Sequence, residues 1–201
     1  MMKTLLTATA LALTFASSAF AFDAGTQAII DRQKANKPVS IANIGALMRA
    51  SERWCYLEDA GTCSWSDIYL DVTEEGASFE IGNAWSETVD IAFTDTGTFK
   101  DGRYICETGS DWIPTVRGSY RADGTMVRGR DLAALKDEIA ATQTSDVINC
   151  FDYLYLSSDA ASQTIKLLQR QSTDDVYDPA RDVEVTLHFD PTEAAALTWR
   201  W

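Results

Sequence analysis

The hydrophobic pattern of the chain begins with an apolar leader. Residues 1–21 read MMKTLLTATALALTFASSAFA, in which Lys3 precedes an apolar stretch from Thr4 to Phe15 and Ala19-Phe20-Ala21 forms a small-x-small triplet. That order is the pattern of a cleavable export signal, with cleavage expected after Ala21. The apolar stretch is shorter than the roughly 20 residues that span a bilayer, and no longer apolar run follows, so no transmembrane helix is expected. Residues 23–34 and 41–52 then read as helices separated by Pro38. In the second, Ile41, Ile44 and Met48 fall at i, i+3 and i+7 behind Ser40 as the cap.

From Arg53 the period drops to two. Ile68, Leu70 and Val72 alternate with Tyr69 and Asp71, and Val89, Ile91 and Phe93 alternate with Asp90 and Thr94, which predicts half-buried strands. Turn residues separate the runs at Glu74-Glu75-Gly76, Asp101-Gly102 and Asp123-Gly124. If Asp101-Gly102 is a whole two-residue loop, Phe99 faces Tyr104. A helical period returns at 131–142, where Leu132, Leu135 and Ile139 mark one face. Val147 to Leu156 is apolar on both alternating faces, as in a central strand covered on both sides. Strands at 164–170 and 183–189 follow, and Leu197, Trp199 and Trp201 close the chain with period two. The expected fold is mainly β: an antiparallel meander sheet or partly closed barrel with N-terminal helices and one inserted helix. The expected division is a signal peptide at 1–21, a helical segment at 22–52 and a β-rich domain at 53–201.

Composition narrows the class. With 46% hydrophobic and 23% charged residues the chain is too apolar to be disordered. Its 17 basic and 30 acidic residues give a net charge of -13. Removing residues 1–21 takes away only Lys3, leaving 16 basic against 30 acidic residues, or -14. Nucleic acid is therefore not an expected partner. The four cysteines, an even count in an exported chain, predict two disulfides. Three pairings are possible; Cys55 and Cys63 bracket the turn-prone Asp59-Ala60-Gly61, so the expected pairs are Cys55 with Cys63 and Cys106 with Cys150. There is no C-x-x-C and His188 is the only histidine, so no metal is expected on the sulfurs. No dinucleotide or phosphate-cradling loop is present and no cofactor is expected. The implied location is the periplasm or the extracellular space.

The polar feature that stands out is VRGSYRADGTMVRGR, with Arg117, Arg121, Arg128 and Arg130 among the eleven arginines. With a two-residue Asp123-Gly124 loop, Arg121 faces Met126, Ser119 faces Arg128 and Arg117 faces Arg130, so all four arginines share one strand face. Like charges so placed call for an anion or for nearby carboxylates. Trp85, in the turn-like Gly82 to Ser86 stretch, is a further contact candidate, whereas Trp54 and Trp65 read as core aromatics beside the first disulfide. The functional expectation is an exported, non-enzymatic binding or interaction module that uses this sheet face for an anionic small ligand or an acidic protein segment. The alternatives are an exported hydrolase and a small outer-membrane β-barrel. A hydrolase would use carboxylates such as Asp152, or His188 on the polar face of its strand. The barrel is suggested by the aromatic C-terminal strand Leu197 to Trp201. The acidic stretch 173–182 has oxygen ligands but lacks the spacing of a calcium loop.

Overall fold

The computed structural model of the protein describes residues 22–143 and 147–201; the expected signal segment, residues 1–21, lies outside the described residues. Eight antiparallel strands follow one another around the sheet: β1 (Arg53–Tyr56), β2 (Trp65–Val72), β3 (Gly76–Ala84), β4 (Val89–Lys100), β5 (Tyr104–Thr108), β6 (Ile148–Asp159), β7 (Thr164–Thr173) and β8 (Val183–His188). Each pairs with the next in sequence, and β8 returns to β1 through Val185 opposite Tyr56 and Leu187 opposite Trp54. The meander thus closes into an eight-stranded up-and-down barrel. A short strand, Arg117–Tyr120, continues the ladder along the start of β4 where β5 leaves it.

Among the described residues there are also four α-helices: α1 (Ala24–Ile30), α2 (Ile41–Ala50), α3 (Gly129–Thr142) and α4 (Pro191–Ala196). The Asp23 carboxylate accepts from the Gly25 and Thr26 amides, the Ser40 hydroxyl from that of Asn43, and Asp190 from those of Thr192 and Glu193, so three of the helices carry side-chain N-caps. Helix α2 stoppers one end of the barrel. Its Ile44, Leu47 and Met48 join Trp54, Phe79, Leu167 and Leu187 in one core, and its Ile41 amide donates to the Gly102 carbonyl in the β4–β5 turn at 3.0 Å. The other end of β4 meets α3, whose Leu135 and Ile139 pack on Ile91, Phe93 and Val116. Ile91 and Phe99 lie eight residues apart on one strand, so the two helices cover sites roughly 26 Å apart.

Several sequence expectations shift in detail. In β2 the inward residues are Trp65, Asp67 and Tyr69, while Leu70 is 57% exposed. Ile68 and Leu70 fall on the outward parity, and a bulge between Tyr69 and Asp71 brings Val72 back to the core side, so the aliphatic alternation misreads the buried face. At the β4–β5 turn Lys100 faces Tyr104 and Phe99 faces Ile105, not Tyr104, because Arg103 is an additional loop residue after the left-handed Asp101 and Gly102. In β6 only Asp152 and Tyr153 are fully buried, and Ile148 at its start is 37% exposed.

Cys106 lies opposite Cys150 and its disulfide clamps β5 to β6, while the Cys55–Cys63 disulfide ties β1 to a two-residue strand that pairs in parallel with Thr198–Trp199. Both expected pairings are present. Trp199 lies against β3 because Gly82 has no side chain: a Cβ there would stand 2.2 Å from the indole. The indole Nε1–H donates to the Ser66 hydroxyl at 3.0 Å. These bonds suit a non-cytoplasmic, oxidising environment. Their loops differ greatly, with sequence separations of 44 and 8 residues. Replacing Cys106 and Cys150 by Ala is expected to cost about 4 kcal/mol, against about 2.6 kcal/mol for the Cys55 and Cys63 pair. Urea unfolding of the two double variants checks this, and an equal loss would show that loop closure does not set the order.

Candidate functional site

The four arginines are not gathered on one face. The loop after Arg117–Tyr120 spans four residues, with the Gly124 amide donating to the Tyr120 carbonyl and the Tyr120 amide to the Thr125 carbonyl, so Ser119 rather than Arg121 faces Met126. Three residues after Met126, Gly129 turns the chain, at φ 59°, into α3. Arg117 pairs with Glu80, and Arg121 pairs with Asp90 at 3.3 Å while donating to the Trp199 carbonyl. Arg128 is the residue before α3 and Arg130 lies in its first turn, both exposed. Trp85 is half-buried, donates to Glu138 of α3 at 3.1 Å and packs with the Ile91 and Ile139 cluster.

His188 and Asp152 both sit outside the barrel wall. His188 is 6% exposed rather than on a solvated face, with Nε2 3.0 Å from the Glu58 carboxylate. The Cys55 sulfur is near this pair but belongs to a disulfide, so Glu58 and His188 are left as the potential metal ligands of that group. They line an open groove of about 760 Å³ bordered by the β6–β7 hairpin and α4. Asp152, 3% exposed, is held by Arg103 and Arg170, each at 2.5 Å. The acidic stretch 173–182 spends its carboxylates locally: Asp174 accepts from the Ile148 amide, Asp178 from that of Ala180, and Asp182 from the Tyr177 hydroxyl.

The inside of the barrel holds chemistry that the alternation of aliphatic residues conceals. A cavity of about 390 Å³ opens between inward side chains of seven strands, β4 apart, and Arg181 stands among its lining residues. A second space, of about 520 Å³, shares Ile81, Glu107 and Arg181 with it and adds Phe93 and Asp95 from β4. The wall carries Tyr56, Trp65, Tyr69, Phe151 and Tyr153, with Tyr56 and Trp65 stacked at 4.7 Å. Between the aromatics lie two carboxylates, Asp67 and Glu107, and the amide of Gln169. The Tyr56 hydroxyl donates to Asp67 Oδ2 at 2.7 Å, and Gln169 Nε2 donates to the Tyr153 hydroxyl at 3.1 Å and to that of Tyr56 at 3.4 Å. Asp67 Oδ1 is buried and has no hydrogen-bond partner among the described residues.

Burial dominates the electrostatics of this interior. It pushes Asp67 up to about 7 against the pull of the Tyr56 hydrogen bond, with Asp95 adding repulsion. Asp95 is pushed up to about 6, again chiefly by burial and against the hydrogen bond from the Thr96 amide. Glu107 rises well above its ordinary range through burial, then through the charges of Asp95 and Asp67. Tyr56, Tyr69 and Tyr153 are also raised by burial, which keeps their hydroxyls neutral.

Fold and cavity together define a class: a closed antiparallel barrel with a polar, aromatic-walled interior large enough for one small ligand. No protein family, curated protein or solved structure matches the chain. Nor does the aliphatic pattern point to the site. The signal available was the other parity of β2, Trp65-x-Asp67-x-Tyr69, an aromatic and acidic alternation that lines a cavity only once the sheet closes.

The raised carboxyls have a consequence for stability. A carboxyl whose pKa is higher in the folded protein than in the unfolded chain stabilises the fold at low pH, and that stabilisation is lost as pH climbs through the folded value. For Asp67 the window runs from 3.8 to about 7. Asp67→Asn is expected to gain on the wild type by up to about 4 kcal/mol between pH 4 and pH 8. Urea unfolding across that range checks it, and a difference that stays constant with pH would show that the carboxyl titrates as in water.

Proposed function

We propose that this protein is an exported, non-enzymatic binding module that holds one small ligand inside its barrel. The observation that carries the reading is Asp67, a residue that lines the cavity of about 390 Å³ and whose buried Oδ1 has no hydrogen-bond partner among the described residues. A polar atom left bare in the interior costs stability, and a ligand donor is the means of satisfying it. Two further features support a binding role. Neither of the acid–base groups nominated by the sequence, His188 and Asp152, lines that cavity. The strands are also polar outside, with Thr96, Lys166 and Glu184 exposed and Glu80 and Arg170 half-buried, which suits water, whereas a barrel in lipid needs an apolar outer belt. Docking of an anionic partner on the arginines is the weaker reading, since Arg117 and Arg121 already pair with Glu80 and Asp90.

A fragment screen by thermal unfolding tests the module, read on the wild type and on Gln171→Trp and Val183→Trp, which fill the cavity from β7 and β8. A fragment at about 100 times its Kd adds about 2.7 kcal/mol, a Tm rise of roughly 5–10 °C for a chain of this size. The rise is expected in the wild type and lost in both filled variants. Fragments that stabilise all three proteins equally would place binding elsewhere.

A further inference from the structure

The barrel interior carries an imbalance of charge. Asp67, Asp95 and Glu107 share it closely enough that Asp67 feels Asp95, and Glu107 feels both Asp95 and Asp67, as like charges. Among the described residues no Lys or Arg lies within ion-pair distance of any of the three. Arg181, the basic residue among those lining the cavity, has a half-exposed side chain and is 3.6 Å from Asp178. Buried carboxylates without a counter-ion are costly, and proteins relieve the cost by pairing or by neutralisation. Around these carboxylates stand Trp65, Tyr69, Phe151 and Tyr153, whose ring faces are the negative poles of their quadrupoles and attract cations. Asp67 lines the same space, and its Oδ1 is buried without a hydrogen-bond partner among the described residues. Above about pH 7, where Asp67 ionises, an anion entering would meet like charge, and a neutral ligand would leave that carboxylate without a counter-ion.

Resting on the binding-module reading above, we infer that the cavity takes a small organic cation, an amine or quaternary ammonium compound, with its nitrogen between Asp67 Oδ1 and Glu107 and its apolar body against Trp65, Tyr69 and Phe151. Carboxylates supply charge and hydrogen-bond acceptors for the head, and the aromatic wall supplies contact area and cation–π attraction for the body. The cavity is thereby selective by charge before it is selective by shape.

Calorimetric titration of the folded protein at pH 8, followed also by tryptophan fluorescence, uses four probes. Phenethylamine, phenethyl alcohol and phenylacetate share one body and differ in having a cationic, neutral or anionic head; tetramethylammonium is the minimal cation. Phenethylamine is expected to bind about tenfold or more tightly than the alcohol, with phenylacetate weakest. Asp67→Asn and Glu107→Gln, each confirmed folded by circular dichroism, are expected to weaken the amine about tenfold and leave the alcohol unchanged. If the alcohol or phenylacetate binds as tightly as the amine and Gln171→Trp abolishes that binding, the cation inference is overturned and the binding module stands. If no probe binds at millimolar concentration, the cation inference is overturned as well. If the probes bind Gln171→Trp as they bind the wild type, the module reading itself fails.

Discussion

Closure of the sheet is the constraint on which the rest depends. The pairing of β8 with β1 brings Arg53 opposite His188, removes both free edges of the meander and commits alternate residues of every strand to one enclosed volume. Near α2 that volume is filled by Trp54, Phe79, Ile165, Leu167 and Leu187, together with helix residues Ile44, Leu47 and Met48. Toward the other end the inward side chains become tyrosine, glutamine and carboxylate, and the filling gives way to a cavity. One enclosed space therefore serves as a core at one end and as a site at the other.

Two buried aspartates show how the same residue type takes opposite roles. Asp152, on the outer wall, is neutralised by Arg103 and Arg170 and staples β6 to β7 and to the β4–β5 turn. Asp67, on the inner wall, has one tyrosine hydroxyl on Oδ2 and no partner for Oδ1 among the described residues. Replacing one partner of a satisfied pair exposes a buried charge, whereas an unsatisfied group already bears that cost in the native state. The proposed binding role would account for that retained cost at Asp67.

The hydrogen-bonded tyrosines set the shape of that site. Tyr56 and Tyr153 point their hydroxyls at Asp67 and Gln169, and burial keeps them neutral, so they act as fixed donors and acceptors. Tyr56 also stacks on Trp65, and Trp54 packs edge-on against Tyr69 and Tyr153. An interior built from interlocked rings is rigid, and a rigid cavity loses little freedom when a ligand enters.

Much of the architecture was legible in the residues themselves. The period-two runs located the strands, the Leu135 and Ile139 spacing located the inserted helix, and the turn between Cys55 and Cys63 settled both disulfides. Registers were less legible, because loop length depends on how the chain exits a turn: Arg103 joins the Asp101-Gly102 loop, and residues 121–124 form a longer one than Asp123-Gly124 alone. The longer 121–124 loop dispersed the arginines, and the inward parity of Trp65, Asp67 and Tyr69 put Ile68 and Leu70 on the outer face of β2. The sequence by itself determined a disulfide-bonded, antiparallel β protein, because period, turn chemistry and cysteine count are local properties of the chain. Only the tertiary structure decided that the sheet closes and that Asp67, Asp95 and Glu107, from three different strands, face one interior, because that meeting depends on pairing between residues more than a hundred positions apart.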